Sequence, residues 1–278
     1  MKRPGEIVGG VHVVVDGAGP PVVLCGGLGG NWFDWDGVVA DLSCDHRVIR
    51  IERPGYGLSP ASNEPRTVWG EARRITNVLA ELDITEPAIV VGHSLAEVYA
   101  EAFARLYPGQ TSAVLLLDAS VPKRKRRFVP TPLRVEIGRR IAHTASQVGL
   151  QRTIGPGLYR LFNQSTPPGG IPPSMQAWID QVVHQPAYLE ASIVENSSWP
   201  ALCHQLIGLR EGTMLSAPVV VAAADSGNRT LWMWVWIRAQ QRFAEFLGAD
   251  FQVVRPARHH AMIDQPGQVA ALVRGLSG

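Results

Sequence analysis

The chain has 278 residues, of which 46% are apolar and 18% charged, with a mean hydropathy of +0.03. That is enough sequence for one large α/β domain with an insertion or for two small domains, and it excludes wholesale disorder. The formal net charge of +2 is too small for a dedicated nucleic-acid binder, so no nucleic-acid partner is expected. Cys25, Cys44 and Cys203 form an odd, widely spaced set without a CxxC pair, which argues against a disulfide framework or a thiolate zinc site; all three are expected to be buried apolar residues.

The N-terminus MKRPGEIVGGVHVVV lacks the apolar stretch of a signal peptide, and no segment approaches the ~18 apolar residues of a spanning helix. The expectation is a cytoplasmic protein without a transmembrane segment, and peripheral membrane contact is not favoured. From the start of the chain, Val11–Val15 and Val22–Cys25 flank a turn-rich Asp16-Gly-Ala-Gly-Pro20 and predict an opening hairpin. Arg47–Ile51 is the next strand. Val68, Ala72, Ile75, Leu79 and Leu82 recur at helical spacing. Ala88–Val91 predicts a strand, Val98–Tyr107 a helix and Ala113–Leu117 a strand.

Residues 121–216 differ from the rest, with eleven Lys/Arg against five Asp/Glu and ten of the 21 prolines. They read as an inserted unit, predicted helical over Leu133–Gly149, Ser174–Val183 and Leu189–Asn196, with a proline-rich loop at Ser165–Ser174. Strands Val219–Ala224 and Phe251–Val254 and a helix Gln268–Val273 complete the pattern. Alternating strands and helices predict an α/β fold with a mostly parallel sheet covered on both faces. The division is therefore 1–120 and 217–278 for the core, with 121–216 as a helical cap.

The strongest chemical signal is Val90-Val-Gly-His-Ser-Leu-Ala-Glu97, an apolar strand running through Gly92-x-Ser94-x-Ala96 directly into a helix. A serine on such a turn is strained and exposed, and the following helix aims its amides at whatever the serine attacks. A hydroxyl needs a base. Of eight histidines, those in Arg258-His-His-Ala-Met-Ile-Asp-Gln-Pro266 follow the last strand and open on the same sheet edge, leaving His259 and His260 as rivals. An orienting carboxylate should end another strand, and Asp118 and Asp225 both fit. The Leu95 amide and the glycine loop Gly26-Gly-Leu-Gly-Gly30 are placed to bind an oxyanion. The loop has neither G-x-G-x-x-G spacing nor a following Gly-Lys-Ser/Thr, so no nucleotide cofactor is expected; no metal cluster appears either.

These motifs, with Ile51-Glu-Arg-Pro-Gly-Tyr-Gly-Leu-Ser59, resemble the α/β-hydrolase superfamily, in particular its small capped serine hydrolases: esterases, lactonases and proline iminopeptidases. The resemblance covers about 1–120 and 217–278. It implies Ser94 as nucleophile, His259 (five residues before Asp264) as base, Asp225 rather than Asp118 as acid, and the amides of Leu28 and Leu95 as oxyanion hole. It implies a small-molecule acyl substrate (an ester or lactone), an acyl-enzyme and no cofactor. An aminopeptidase or a carbon–carbon bond hydrolase would use the same triad, and a ligand-binding member of the fold would use none. Dehalogenases and epoxide hydrolases carry Asp where this chain has Ser94. Four departures stand out: Gly26-Gly27 for the usual His-Gly, Glu52 for Asp, Ala96 for Gly and Glu97 for a small residue.

Two further segments have a solvated or packing role by default. The run Lys123–Arg127 reads as a solvated loop, with attraction of anionic substrates or lipid headgroups as the sharper alternative. The apolar heptad Leu231–Ile237, with Trp232 and Trp236 on one helix face, is expected to pack under the cap or on the sheet; the alternative is an exposed patch for a partner or membrane surface.

Overall fold

The structure, a computed structural model, describes residues 4–123, 129–153, 159, 165–167 and 169–277. Eight strands form one sheet: β1 (Glu6–Val8), β2 (Val11–Asp16), β3 (Pro21–Cys25), β4 (Arg47–Ile51), β5 (Ala88–His93), β6 (Thr111–Leu117), β7 (Val219–Ala224) and β8 (Asp250–Val254). Their order is β1-β2-β4-β3-β5-β6-β7-β8, parallel from β4 to β8 and antiparallel only where β1 meets β2 and β2 meets β4. The opening hairpin is therefore β1–β2, and the pairing of Val11–Val15 with Val22–Cys25 does not occur. Every residue of β3 is buried, so that strand needs a neighbour on each side, and β4 and β5 supply them.

Side chains of the central strands alternate between two cores. Val23, Val90, Val114, Leu116 and Val221 pack with helices α2 (Val68–Glu81) and α3 (Glu97–Leu106). Val22, Leu24, Ile89, Val91, Leu115 and Leu117 pack on the opposite face. There they meet α1 (Asp36–Leu42), α8 (Ala261–Asp264) and α9 (Pro266–Gly275). α2 starts at the Thr67 cap, whose hydroxyl accepts from the Gly70 amide, and its outward residues Arg73, Asn77 and Glu81 are exposed.

Between β6 and β7 the chain forms α4 (Thr131–Gln147), α5 (Pro173–Val183) and α6 (Pro186–Gly212). α6 extends well beyond the predicted Leu189–Asn196. It passes through Pro200, and Leu202, Leu206 and Leu209 of its second half join the core of α2 and α3. Burial of that second half outweighs the hydrogen bond that Pro200 removes. Arg210 of α6 pairs with the fully buried Glu101 of α3, at 2.6 and 2.7 Å. Of the basic run, Lys123 is described, and Arg124 to Arg127 lie outside the described residues.

The first half of α6 is fastened by a buried ion pair. Glu195 accepts from Arg53 Nε (2.8 Å) and Nη2 (3.0 Å), from Tyr56 Oη (2.8 Å) and from Tyr99 Oη (3.0 Å). Burial opposes charge on Glu195, but the Arg53 and Arg66 guanidiniums and the bonds from Arg53 and Tyr56 hold its carboxyl below the ordinary range. Glu195→Ala would leave the Arg53 charge buried without its partner, a loss of about 3–5 kcal/mol in urea unfolding. A carboxyl depressed in the fold contributes its stability above the unfolded pKa of ~4.3 and loses it as pH falls through the folded value. The wild-type advantage over Glu195→Ala should thus be full at neutral pH and shrink in acid.

Candidate active site

The parallel strands end together on one edge of the sheet, and the chemistry-bearing residues follow those ends. β5 runs into Ser94, whose φ of +54° lies in the left-handed region that a side chain adopts only under strain. A Cβ at position 92 would stand 2.8 Å from the Ala96 carbonyl oxygen and the Ala100 Cβ, so the first glycine of the motif is obligatory. The second small position is occupied by Ala96, fully buried, so the methyl is accommodated.

Ser94 Oγ lies 2.8 Å from His259 Nε2, and His259 Nδ1 lies 2.6 Å from Asp118 Oδ2. The structure thus joins the expected serine and the expected histidine, but the carboxylate is Asp118 and not Asp225. Strand order explains the correction. β6 is the immediate neighbour of β5, with His93 opposite Leu117, so the residues that follow, Ser94 and Asp118, leave the sheet side by side. Asp225 leaves β7, one strand further out, and is already engaged: Oδ2 pairs with Arg255 Nε at 2.6 Å and Oδ1 accepts from the Gly227 amide at 2.8 Å.

Asp118 is only 2% exposed and held from several sides. Its Oδ1 accepts from the Ala224 amide (3.0 Å) and from the Trp236 indole (2.8 Å), and its own amide bonds the Ala222 carbonyl. Its φ is +45°. Trp236 and Gln240 come from α7 (Leu231–Leu247); Gln240 Nε2 donates to the Ala119 carbonyl at 2.6 Å. Ser120 Oγ stands 3.3 Å from Ser94 Oγ. None of these supporting groups was read from the sequence. The Asp118-Ala-Ser120 stretch directly after a buried strand was the available signal.

His260, the rival imidazole, is buried beside His259, and burial followed by the nearby His259 pushes its pKa down to about 3. His93 is also held well below the ordinary histidine range, by burial and then by His259 and His260, while its Nε2 bonds the His259 carbonyl at 2.8 Å. Two neutral rings therefore flank the one imidazole that reaches the serine.

The glycine loop is braced from behind. Arg53 Nη1 donates to the Gly26 carbonyl (2.5 Å) and Nη2 to the Gly27 carbonyl (2.7 Å), while Tyr188 Oη donates to the Gly29 carbonyl (2.8 Å). In a trans peptide the N–H points opposite to the carbonyl, so a Gly27 carbonyl tied to Arg53 turns the Leu28 amide away from that guanidinium. A Cβ on Gly27 would lie 2.9 Å from both Ser94 Cβ and His93 Nδ1, so the backbone at Gly27 is against the serine and no larger residue fits. Leu95, the other expected amide, is the residue after Ser94 in a short 3-10 turn.

Glu97, left open by the sequence, is fully buried at the start of α3, and no side chain among the described residues hydrogen-bonds it. Burial, then Glu101, raises its carboxyl well above the ordinary range, against the lowering effect of Arg210 and the Val121 amide. Cys25 and Cys203 are buried as expected, whereas Cys44 is exposed, at the end of α1 where the chain turns into β4.

A model of the alpha/beta hydrolase family matches residues 22–272, and the chain belongs to that family. Over 123 residues it is 34% identical to the pimeloyl-acyl-carrier-protein methyl ester esterase of Methylococcus capsulatus, which covers 44% of each protein. The matches span 15% to 44% of the length of the curated relatives. Among solved structures, the enol-lactonase of Burkholderia xenovorans LB400 shares 22% identity over 99% of both chains with a TM-score of 0.68. Potato epoxide hydrolase I shares 14% over 99% of this chain and 98% of its own, with a TM-score of 0.75. At those identities the two structures share the fold.

Behind the glycine loop lie two buried carboxyls. Burial raises Glu52 to about 8 and Asp34 to about 7, against the lowering effect of Arg53 on Glu52 and of the Asn31 amide and Tyr159 hydroxyl on Asp34. Each holds in the fold a proton that the unfolded chain gives up near pH 4, so their contribution is full below that pH and drains away as pH rises toward 8. Glu52→Gln should flatten this decline and be more stable than wild type at pH 8.5 by about 1 kcal/mol or more, read from paired urea titrations at pH 5 and 8.5.

Proposed function

We propose that the chain is a serine hydrolase that cleaves a small ester, lactone or related acyl compound through an acyl-enzyme. The observation that carries this reading is the continuous relay from Ser94 Oγ through His259 to Asp118. His259 Nε2 takes the Ser94 proton as Oγ attacks the substrate carbonyl carbon. Asp118, accepting from Nδ1–H, fixes the tautomer and stabilises the imidazolium. The carbonyl electrons move onto oxygen, and the Leu28 and Leu95 amides donate hydrogen bonds to the oxyanion so formed. Collapse expels the alcohol or enol, which takes the proton from His259. Water then repeats the sequence and releases the acid and free Ser94.

The similarity to a methyl ester esterase and to an enol-lactonase supports an acyl substrate. The serine at the elbow supports an ester-type intermediate over epoxide opening, which in this fold uses a carboxylate nucleophile. Residues 121–216 serve in this reading as the cap that shapes specificity, and the aromatic cluster of Trp32, Phe33, Tyr56 and Tyr188, where α5 and α6 meet the glycine loop, is its floor. Among the described residues no helix is long and apolar enough to cross a membrane.

A fluorophosphonate probe should label wild type and not Ser94→Ala, and a screen of short-chain esters and lactones should detect turnover. Ser94→Ala and His259→Ala should each lower kcat by roughly 10⁴–10⁶-fold, with the melting curve preserved. Asp118→Asn should cost about 10⁴-fold and Asp225→Asn less than about tenfold. The reverse ranking would return the acid to β7. Trp236→Phe, which removes one of three hydrogen bonds to Asp118, should lower kcat about tenfold with KM unchanged.

A further inference from the structure

α7 carries large apolar residues on both of its sides. Its most buried residues are the polar Gln240 with Ala244 and Phe243, whereas its outward side carries Leu231 (78% exposed), Trp234 (61%), Val235 and Phe246, and Trp232 (65%) lies at the margin toward His259. Positions 231, 235, 238, 242 and 246 follow one another at spacings of three and four and so run down one side of the helix. They read Leu, Val, Arg, Arg, Phe. The expectation that the tryptophans pack under the cap or on the sheet fails for Trp232 and Trp234. Only Trp236 turns inward, to Asp118, with Trp232 stacked on its ring at 5.8 Å.

The charge on this face is predominantly positive. From Ser226 to Ala244 the sequence has Arg229, Arg238 and Arg242 and no acidic residue, and the exposed Glu245 beside Phe246 is the one acid of the helix. All three arginines are exposed, and the Arg238 guanidinium lies over the Trp234 ring. Beside the helix, Arg242, Phe243 and Phe246 share a cavity of about 680 Å³ with Ile207, Val121 and Lys123, which adds a fourth cation and a mostly apolar wall. The acidic groups nearby are Asp225, already paired with Arg255; Glu211, at the cavity wall; and Glu245, in the last turn of the helix.

We propose that the outward face of α7 docks the protein on an anionic lipid bilayer. Tryptophan favours the boundary between headgroups and acyl chains, where its ring is dehydrated and its indole N–H remains bonded. Leu231, Val235 and Phe246 give the shallow apolar insertion of an interfacial helix, and Arg229, Arg238, Arg242 and Lys123 meet lipid phosphates. The cations outnumber the acids on this face and flank its apolar residues, the complement of an anionic headgroup layer. The proposal is independent of the reaction assigned to Ser94.

The test is sedimentation of the full chain with vesicles of phosphatidylcholine plus phosphatidylglycerol, against phosphatidylcholine alone. Binding should be at least about tenfold tighter to the anionic vesicles, weaken as salt rises past ~0.15 M, and shift tryptophan emission to the blue. Leu231→Ser with Trp234→Ser should lose about tenfold or more on anionic vesicles, and Arg238→Gln with Arg242→Gln should abolish the lipid preference. Melting curves of both double variants should match wild type. No binding at low salt, equal binding to both vesicle types, or unchanged binding by the folded variants overturns the proposal. A wild-type dimer that Leu231→Ser with Trp234→Ser converts to monomer also overturns it, because the face then belongs to a second copy of this chain.

Discussion

The Arg53–Glu195 pair links parts of the molecule that are otherwise distant in sequence. Arg53 comes from the turn after β4, Glu195 from the middle of α6, and the remaining guanidinium donors reach the carbonyls of Gly26 and Gly27. A buried pair of this kind gains little over apolar packing of the same shape. What it supplies is direction. A leucine in place of Arg53 could fill the space but could not fix which way two consecutive peptide planes of the glycine loop face. The orientation of the Leu28 amide, the packing of α6 and the placement of Tyr56 and Tyr99 thus depend on one fully satisfied carboxylate.

Strain is concentrated around the same edge of the sheet. Ser94, Asp118 and Val121 all have positive φ, and all three lie in the two turns that leave β5 and β6. Each turn is held by bonds from elsewhere: the Ser120 amide to the Ser94 carbonyl, Gln240 to the Ala119 carbonyl, and Trp236 and the Ala224 amide to the Asp118 carboxylate. α7 is therefore a brace for the Asp118 turn on its inner side. The polar residues it turns inward are explained by that task; Phe243 and Ala244 join them in the core, and Leu231, Trp234, Val235 and Phe246 are left on the outside.

Much of this was legible in the sequence because it depends on local pattern. The strand–Gly-His-Ser–helix sequence fixes the serine turn by backbone sterics, and a histidine after the final strand has to open on the same edge. Asp118 was visible as a candidate, but choosing it required the order of strands across the sheet, which no local pattern encodes. The antiparallel placement of β2 beside β4 was hidden for the same reason. The full length of α6 was masked by Pro200, because a local helix-breaking signal was overridden by burial of Leu202, Leu206 and Leu209, two to nine residues further on. Glu195, Trp236 and Gln240 were illegible because their roles come from partners distant in the chain.

Placing the carboxylate after β6 also alters how the molecule can diverge. Serine, carboxylate and glycine loop all precede residue 121, within one uninterrupted run of strands and helices, and only His259 returns from beyond the intervening segment. Insertions, deletions and rearrangements between residues 121 and about 185 therefore leave the serine and its carboxylate in fixed register, subject to one tether, since Glu195 must still reach Arg53. The turn after β7, which would otherwise have had to present a carboxylate, is released from that duty, and its Asp225 is free to hold Arg255 instead.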